Sequence, residues 1–247
     1  SLCFKKRIVM ANSRNLRLNF NQHAPKNTRS KQDDKNISIA MKQVIEYLQD
    51  RFKNIGNFKD FYIDFEQSLS IKSMIENIKI SNVRRQFDYT YGANTIKPDG
   101  GFLILRKCED SDYKKLLLAA EVKRQGTNDQ RLVEGKEKQA QGNAIERLGK
   151  NLTGIKAMMN HEDITPFVCF GSGCDFETEA TTVLAKISVL NEFYYLNKTY
   201  IFKQDGNSDN NKFSPVSMYF RREEWSVEEM RKIMIEIAET SLRYYIF

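Results

Sequence analysis

The chain has 247 residues, of which 40% are hydrophobic and 29% are charged, and its formal net charge is +7. This apolar fraction excludes a fully disordered chain and suits one domain with a substantial core, while the basic balance favours a polyanionic partner. No apolar run approaches the roughly 18 residues of a membrane-spanning helix, and residues 1 to 10 lack the apolar segment of a signal peptide.

Residues 1 to 35 differ in composition from the rest of the chain. They contain nine Lys and Arg residues against two acidic ones, Asp33 and Asp34, with many Asn and Gln and few apolar side chains. Such a composition is typical of a mobile basic arm. Two interpretations stay open: a solvated tail without a role, and an arm that folds onto DNA phosphates. We place the remaining residues, 36 to 247, in a single domain.

Apolar spacing predicts two helices and then a hairpin in the first half of this domain. Residues 37 to 52 carry apolar side chains at helical spacing, and residues 68 to 80 do so again. Two short apolar runs, 102 to 105 and 116 to 122, then flank a polar turn. Runs of this kind joined by a turn predict a buried β-hairpin.

The second half alternates between helix and strand signals. A long helix is predicted over 136 to 159, followed by buried strands over 166 to 170 and 182 to 190. Ser226, with Glu229 three residues later, forms a capping-box pattern that predicts the start of a last helix. The order of these elements predicts an α/β domain with a mixed central sheet covered by helices.

The numbers of histidines and cysteines limit the kinds of catalytic and metal site that the chain can form. The chain has only two histidines, which disfavours a histidine triad and a poly-histidine metal site. Its four cysteines are scattered, with no C-x-x-C pair, so we expect reduced thiols in a cytoplasmic protein.

Two carboxylates and a lysine are predicted to converge at the hairpin. Asp99 stands just before the first strand, while Glu121 and Lys123 lie at the end of the second. Residues i and i+2 of a strand point to the same side, so Glu121 and Lys123 share a face and Val122 turns into the core. If the two strands pair, Asp99 returns beside Glu121.

This grouping suits phosphodiester hydrolysis. Two carboxylate oxygens and a carbonyl can bind a hard cation and leave positions for water and a phosphate. The metal would lower the pKa of its water and neutralise charge on phosphorus, while Lys123 holds or deprotonates that water. Such a site needs no histidine, which fits the composition.

The spacing E-x-K is a weak signal by itself. The chain repeats it at Glu134 and Lys136 and has a D-x-K at Asp112 and Lys114, both in polar loop sequence. The pair at 121 and 123 differs because it directly follows a continuous apolar run. The alternative to a nuclease site, a surface salt bridge at a strand end, stays open at this point.

A second group of polar residues lies near the start of the long predicted helix, where residues 142 to 147 form the string G-N-A-I-E-R. Asn and Arg can make paired hydrogen bonds to purines, and Glu can accept from a base amino group, when a helix start enters the major groove. Lysines at 136, 138 and 150 would suit phosphates. The alternative is ordinary helix surface, with Glu146 paired to Lys150 at i+4.

Together with two further strings, this segment resembles a known family. The strings are I-K-P-D-G-G at 96 to 101, A-E-V-K-R-Q-G at 120 to 126, and G-N-A-I-E-R at 142 to 147. In their order and gaps the chain resembles the EcoRI-type restriction endonucleases, which are type II enzymes of the PD-(D/E)xK nuclease superfamily. The likeness covers roughly residues 65 to 247.

The resemblance implies a fold, a reaction and partners. The implied fold is α/β, a restriction-endonuclease-like core with a mixed five-stranded central sheet flanked by helices. The implied enzyme is a bacterial, cytoplasmic homodimer that uses Mg²⁺ to cut double-stranded DNA at a palindromic site with an AATT core, leaving 5′ overhangs. We expect the site G/AATTC, and a companion DNA methyltransferase in the host.

The resemblance also implies roles for individual residues. The catalytic positions fall on Asp99, Glu121 and Lys123, and the metal ligands on Asp99, Glu121 and Val122. Recognition of the inner AATT falls on Asn143, Ala144, Glu146 and Arg147, and Ala140 is a further position for base recognition. Contacts to the DNA backbone are expected from Lys97, Arg124, Lys136, Lys138 and Lys150.

Two departures from the family concern the outer base pair of the site. Family members that cut GAATTC have Met and Ala where this chain has Gln139 and Ala140, and residues 191 to 196 replace an arginine-bearing segment. Two other interpretations remain: a repair or junction-cleaving nuclease with the same metal motif, and a non-cleaving DNA-binding protein. The base-reading segment argues against the first, and the intact Asp, Glu and Lys against the second.

Overall fold

The structure is a computed structural model that describes residues 28–70, 95–125, 133–137, 148–149, 151–152, 154–155, 164–176, 195–196 and 217–246. Its strands, in chain order, are β1 (Phe61–Glu66), β2 (Leu69–Ser70), β3 (Thr95–Ile96), β4 (Gly101–Lys107), β5 (Lys114–Arg124), β6 (Phe167–Ser172), β7 (Tyr195–Leu196) and β8 (Ser217–Arg221). Its two long helices are α1 (Thr28–Asn54) and α2 (Val227–Ile246). Short 3₁₀ turns follow α1 at Gly56–Phe58 and β6 at Cys174–Phe176.

A mixed sheet forms the centre of the described part of the chain, in the order β1-β4-β5-β6-β8-β7. The pairs β1–β4 and β4–β5 are antiparallel, whereas β5–β6, β6–β8 and β7–β8 are parallel. Five of these strands have five or more residues, and β7 has two. The predicted five-stranded mixed core is therefore confirmed, with a two-residue strand added at one edge.

The predicted hairpin is confirmed as β4 and β5. Its strands have continuous apolar sequences because both of their faces are covered, so neither face calls for polar side chains. The buried strand predicted at 166 to 170 is β6, and the capping box also forms. Ser226 Oγ accepts a hydrogen bond from the Glu229 N–H (3.3 Å), and Glu229 Oε2 accepts one from the Ser226 N–H (2.9 Å), which starts α2.

Each face of the sheet has its own apolar cluster. On one face, α1 and α2 pack over β5 with fully buried side chains that include Ile37, Met41, Met234 and Ile237. On the other face, the helical residues between 148 and 155 pack against the sheet through buried Leu148, Leu152 and Ile155. Because strand residues alternate, Val122 and Arg124 belong to the α1 face, and Glu121 and Lys123 to the opposite face.

Three predicted boundaries are wrong. Helix α1 begins at Thr28 rather than at residue 37, so residues 28 to 35 of the predicted arm are helical. The helix predicted from residue 68 does not begin there, because Leu69–Ser70 is a strand paired with Thr95–Ile96. The long helix does not begin at Lys136, which lies in irregular backbone.

Other predictions concern parts of the chain outside the described residues. These are the arm over residues 1 to 27, the rest of the helix predicted up to residue 80, and the strand at 182 to 190. Among the residues that the structure describes, no helix has both the length and the apolarity needed to cross a membrane.

Candidate active site

A tight turn before β4 positions Asp99. The Gly100 N–H donates to the Ala120 carbonyl (2.9 Å) and the Gly101 N–H donates to the Pro98 carbonyl (3.0 Å), so the turn is bound to β5. Gly101 has a φ of +76°, and a Cβ atom on it would lie 2.7 Å from the Phe65 ring. Glycine is therefore required at the point where the chain turns from Asp99 into the strand.

Asp99 reaches the end of β5, as predicted. Its Oδ2 accepts a hydrogen bond from the Val122 N–H at 3.2 Å and another from Lys123 Nζ at 3.1 Å. Val122 itself turns into the core beside α1 and is 8% exposed. The convergence of Asp99, Glu121 and Lys123 expected from strand alternation is thus present in the structure.

Lys123 lies between the two carboxylates. Its Nζ is 2.5 Å from Glu121 Oε1 and donates to the Val122 carbonyl at 3.0 Å. Burial disfavours the charged ammonium, but the negative charges of Glu121 and then Asp99 outweigh burial and raise the pKa of Lys123. In this arrangement the side chain is an ammonium that donates hydrogen bonds.

Glu121 is the most deeply buried member of the group, with a side chain 1% exposed. Burial raises the pKa of its carboxyl, while Lys123 opposes that shift. Its Oε2 is buried and has no hydrogen-bond partner among the described residues. An unpartnered buried oxygen is costly unless a further group binds it, and a cation is the natural partner for a carboxylate.

The donor set suits a hard divalent cation. The carboxylates of Asp99 and Glu121 and the carbonyl of Val122 are oxygen ligands of the kind that Mg²⁺ prefers. The described residues contain no group of three or more His, Cys, Asp or Glu side chains that could hold a metal by themselves. Water and a phosphate oxygen would therefore have to complete the coordination.

Asn151 also contacts the site, and the sequence analysis did not single it out. Its Nδ2 donates to Glu121 Oε1 at 3.0 Å, across 30 positions of sequence. Asn151 lies between the buried Leu148 and Leu152, so it was a polar residue beside the apolar face of a helix. A polar residue between two buried leucines was the signal that the sequence offered, but this pattern does not show that Glu121 is the residue that Asn151 contacts.

Arg124, which is predicted to contact the DNA backbone, makes ion pairs within the protein, and its role toward DNA stays a prediction. Its guanidinium makes a bidentate ion pair with Asp33 of α1 (2.6 and 2.8 Å), and its Nη2 also pairs with Glu224 at 3.0 Å. Arg124 immediately follows Lys123 and therefore projects from the opposite face of β5. Two carboxylates already neutralise this charge, so it ties α1 to the sheet.

The other residues predicted to contact DNA are either exposed or outside the described part of the chain. Lys97 is exposed and immediately precedes the turn that carries Asp99, and Lys136 is exposed and pairs with Glu134 at 2.6 Å. The other predicted DNA contacts lie outside the described residues; they are Lys138, Ala140, Asn143, Ala144, Glu146, Arg147 and Lys150.

The fold and the site together define a class of protein. A mixed sheet that ends in two carboxylates, a carbonyl and an ammonium has the groups of a metal-assisted phosphodiester hydrolase, in which a cation can neutralise charge at phosphorus. Comparison with known proteins identifies the family within this class. The family profile described as "Restriction endonuclease EcoRI" matches residues 24–186, and the chain belongs to the EcoRI family of restriction endonucleases.

Two curated relatives are also restriction enzymes. The chain is 25% identical over 217 residues to the type II restriction enzyme RsrI of Cereibacter sphaeroides, covering 76% of this chain and 77% of that protein. It is 27% identical over 213 residues to the type II restriction enzyme EcoRI of Escherichia coli, covering 71% and 76% respectively. The protein is accordingly an enzyme of the DNA-hydrolysing type.

Proposed function

We propose that this protein is a homodimeric, Mg²⁺-dependent type II restriction endonuclease that cuts G/AATTC and leaves 5′ overhangs. The observation that carries the proposal is the convergence of Asp99, Glu121 and Lys123 around a buried carboxylate oxygen without a partner among the described residues. Membership of the EcoRI family supports the choice of DNA as substrate. The proposal includes a cytoplasmic role in restricting foreign DNA, with a companion methyltransferase that protects the host.

The proposed mechanism assigns one task to each group of the site. Asp99, Glu121 and the carbonyl of Val122 would hold Mg²⁺, which when bound lowers the pKa of water and neutralises negative charge on the phosphate. Lys123, as an ammonium, donates a hydrogen bond to the attacking water and orients it toward phosphorus. Hydrolysis joins the water oxygen to phosphorus with loss of one proton, and breaks the bond to one ester oxygen of the DNA backbone, which leaves with the bonding pair and takes up a proton to become a hydroxyl.

The proposed specificity comes from symmetry and from the segment at 142 to 147. A two-fold dimer presents the same segment to both halves of a palindrome, and each subunit cuts one strand. In this proposal Asn143, Ala144, Glu146 and Arg147 read the inner AATT, with Ala140 beside them. Lys97, Lys136, Lys138 and Lys150 contact phosphates, which fixes the register without reading sequence.

The direct test is digestion of a sequenced plasmid in the presence of Mg²⁺, with the cut ends read by sequencing. We expect cuts at G/AATTC with 5′ overhangs and none when Mg²⁺ is chelated. Cuts at DNA junctions or at random positions would instead favour a structure-selective nuclease, and binding without cuts would favour a DNA-binding protein.

The base-reading segment is tested by Asn143→Ala. Loss of a good bidentate base contact costs about 1–3 kcal/mol, or roughly ten- to a hundredfold in affinity, in each half-site. Affinity for a cognate duplex should therefore fall strongly, while affinity for a random duplex should barely change because phosphate contacts remain. Both affinities are measured at one salt concentration, and an equal fall in both would remove residues 142 to 147 as the reader.

A further inference from the structure

Asn151 connects two parts of the enzyme that are separate in sequence. It lies four residues after the end of the proposed base-reading segment at 142 to 147, and its side chain reaches Glu121 on β5. Its neighbours Leu148, Leu152 and Ile155 are fully buried against the sheet. The amide of Asn151 is therefore held by a firmly packed piece of helix.

The two oxygens of Glu121 have different surroundings. Oε1 is next to Asn151 Nδ2 at 3.0 Å and Lys123 Nζ at 2.5 Å, whereas Oε2 has no partner among the described residues. The last torsion of a Glu side chain is broad, so packing alone does not define the plane of its carboxylate. Lys123 is also shared with Asp99, which leaves Asn151 as the second, independent restraint on that plane.

A close backbone approach supports the same contact. Gly154 is one turn beyond Asn151, and a Cβ atom on it would overlap the side chain of Ile96, in the strand that leads into the Asp99 turn. The absence of a side chain at 154 thus lets the helix approach the site closely. At that distance the short Asn side chain spans the gap to Glu121.

We propose that Asn151 is a positioning residue whose amide holds Oε1 of Glu121, so that the buried Oε2 is presented to the catalytic metal ion. The proposal rests on the proposed function, because it requires a metal at Asp99 and Glu121. It also makes the orientation of a metal ligand depend on the helix that follows the base reader. Residues that orient metal ligands in this way typically alter metal affinity or activity by 10- to 100-fold when they are replaced.

The test compares Asn151→Ala with Asn54→Ala in the full-length protein. Asn54 Nδ2 donates to the Asp50 carbonyl at 3.0 Å on the exposed end of α1, so the control deletes an equivalent hydrogen bond away from the site. Mn²⁺ binding is titrated calorimetrically, and cleavage is measured across a range of Mg²⁺ concentrations. For Asn151→Ala we expect Mn²⁺ affinity to fall at least tenfold and saturating Mg²⁺ to restore most of the cleavage.

DNA binding without metal separates this role from a direct DNA contact. Affinities for cognate and random duplexes in EDTA should match the wild-type values for Asn151→Ala. A selective fall in cognate affinity with unchanged metal affinity would make Asn151 part of the base reader and overturn the proposal. Unchanged Mn²⁺ affinity and an unchanged Mg²⁺ profile would also overturn it.

A second variant keeps the test valid if Asn151→Ala does not fold. Asn151→Gln retains the amide donor but displaces it by one methylene, and should give a smaller loss of metal affinity than removal of the donor. Wild-type metal dependence in Asn151→Gln together with Asn151→Ser, which is too short to reach Glu121, would contradict the proposal. If the wild-type protein itself neither binds Mn²⁺ nor cleaves DNA, the proposed function has failed, whatever these variants do.

Discussion

The chain contains the tripeptide pattern E-x-K twice, and one copy is exposed whereas the other is buried. Glu134 and Lys136 form an ion pair at 2.6 Å on the surface, with side chains 39% and 57% exposed. Glu121 and Lys123 are 1% and 16% exposed, and both belong to a larger group that leaves one oxygen without a partner among the described residues. The comparison teaches that burial at a strand end, and not the spacing of the charges, separates a candidate catalytic pair from a surface ion pair.

The energetics of the two pairs differ for the same reason. Water solvates the exposed pair well, so its net contribution to stability is about 0–1 kcal/mol. The buried group has lost that solvation, and its charges are held by each other and by neighbouring hydrogen bonds. A substrate or metal ion that binds Glu121 Oε2 would supply the missing partner, which is the interpretation proposed above.

The sharpest test of this comparison replaces one glutamate from each pair. Glu121→Ala should lower cleavage of a cognate duplex by roughly 10³-fold or more, the scale seen when a group acting on the reacting atoms is removed. Glu134→Ala should leave the cleavage rate unchanged. Equal rates for the two variants would remove Glu121 from the catalytic site, and metal-free DNA binding checks that both variants are folded.

A second test concerns stability and uses the ion pair on the other face of β5. Asp33 and Arg124 are 12% and 14% exposed and are joined by two hydrogen bonds, so Asp33→Asn leaves a largely buried guanidinium poorly compensated. We expect the free energy of unfolding to fall by about 1–3 kcal/mol, between the values typical of exposed and of buried pairs. Glu134→Gln should change it by less than about 0.5 kcal/mol.

Urea denaturation at fixed salt measures both variants. If Asp33→Asn proves as neutral as Glu134→Gln, the pair does not tie α1 to the sheet. Arg124 would then be free to meet DNA, as the sequence first indicated.

The smallest expected effect concerns pH and a third group of charges, at the start of α2. Hydrogen bonds from Arg221 and Ser226 lower the pKa of Glu229 from 4.5 to about 2. A lowered pKa stabilises the folded state above pH 4.5, and this contribution is lost as the pH falls from 4.5 toward 2. Because the side chain is 43% exposed, solvent screening limits the contribution to under about 1 kcal/mol.

Thermal unfolding between pH 5 and pH 3 measures this contribution. The wild-type protein should lose stability over that range more steeply than Glu229→Gln, which cannot titrate at this position. Parallel curves for the two proteins would show that the capping group adds no pH dependence.

The sequence predicted the hairpin and the convergence of Asp99, Glu121 and Lys123 because both depend on local rules. Strand alternation placed Glu121 and Lys123 on one face, and the turn at Gly100 and Gly101 returned Asp99 to them. The same alternation places Arg124 on the other face, where it pairs with Asp33 and Glu224. Local rules were therefore sufficient for the centre of the site.

Contacts across long sequence separations could not be predicted in this way. Asp33 meets Arg124 across 91 positions, and Asn151 meets Glu121 across 30, with no periodic pattern to indicate either pair. The start of α1 at Thr28, earlier than predicted, also depends on contacts that show no apolar periodicity. Its first turns lack apolar spacing and are held by polar contacts, among them the Asp33 ion pair and a Gln32–Asn36 hydrogen bond of 2.8 Å.

The position of α2 has a consequence for the biosynthesis of the enzyme. This helix of 20 residues contributes Met230, Met234, Ile237 and Leu242 to the apolar cluster that also contains residues of α1 and Val122 of β5. Synthesis proceeds from the N-terminus, so that cluster cannot close until α2 has left the ribosome. We therefore expect a nascent chain without α2 to lack part of the apolar cover on one face of β5, the strand that carries Glu121 and Lys123.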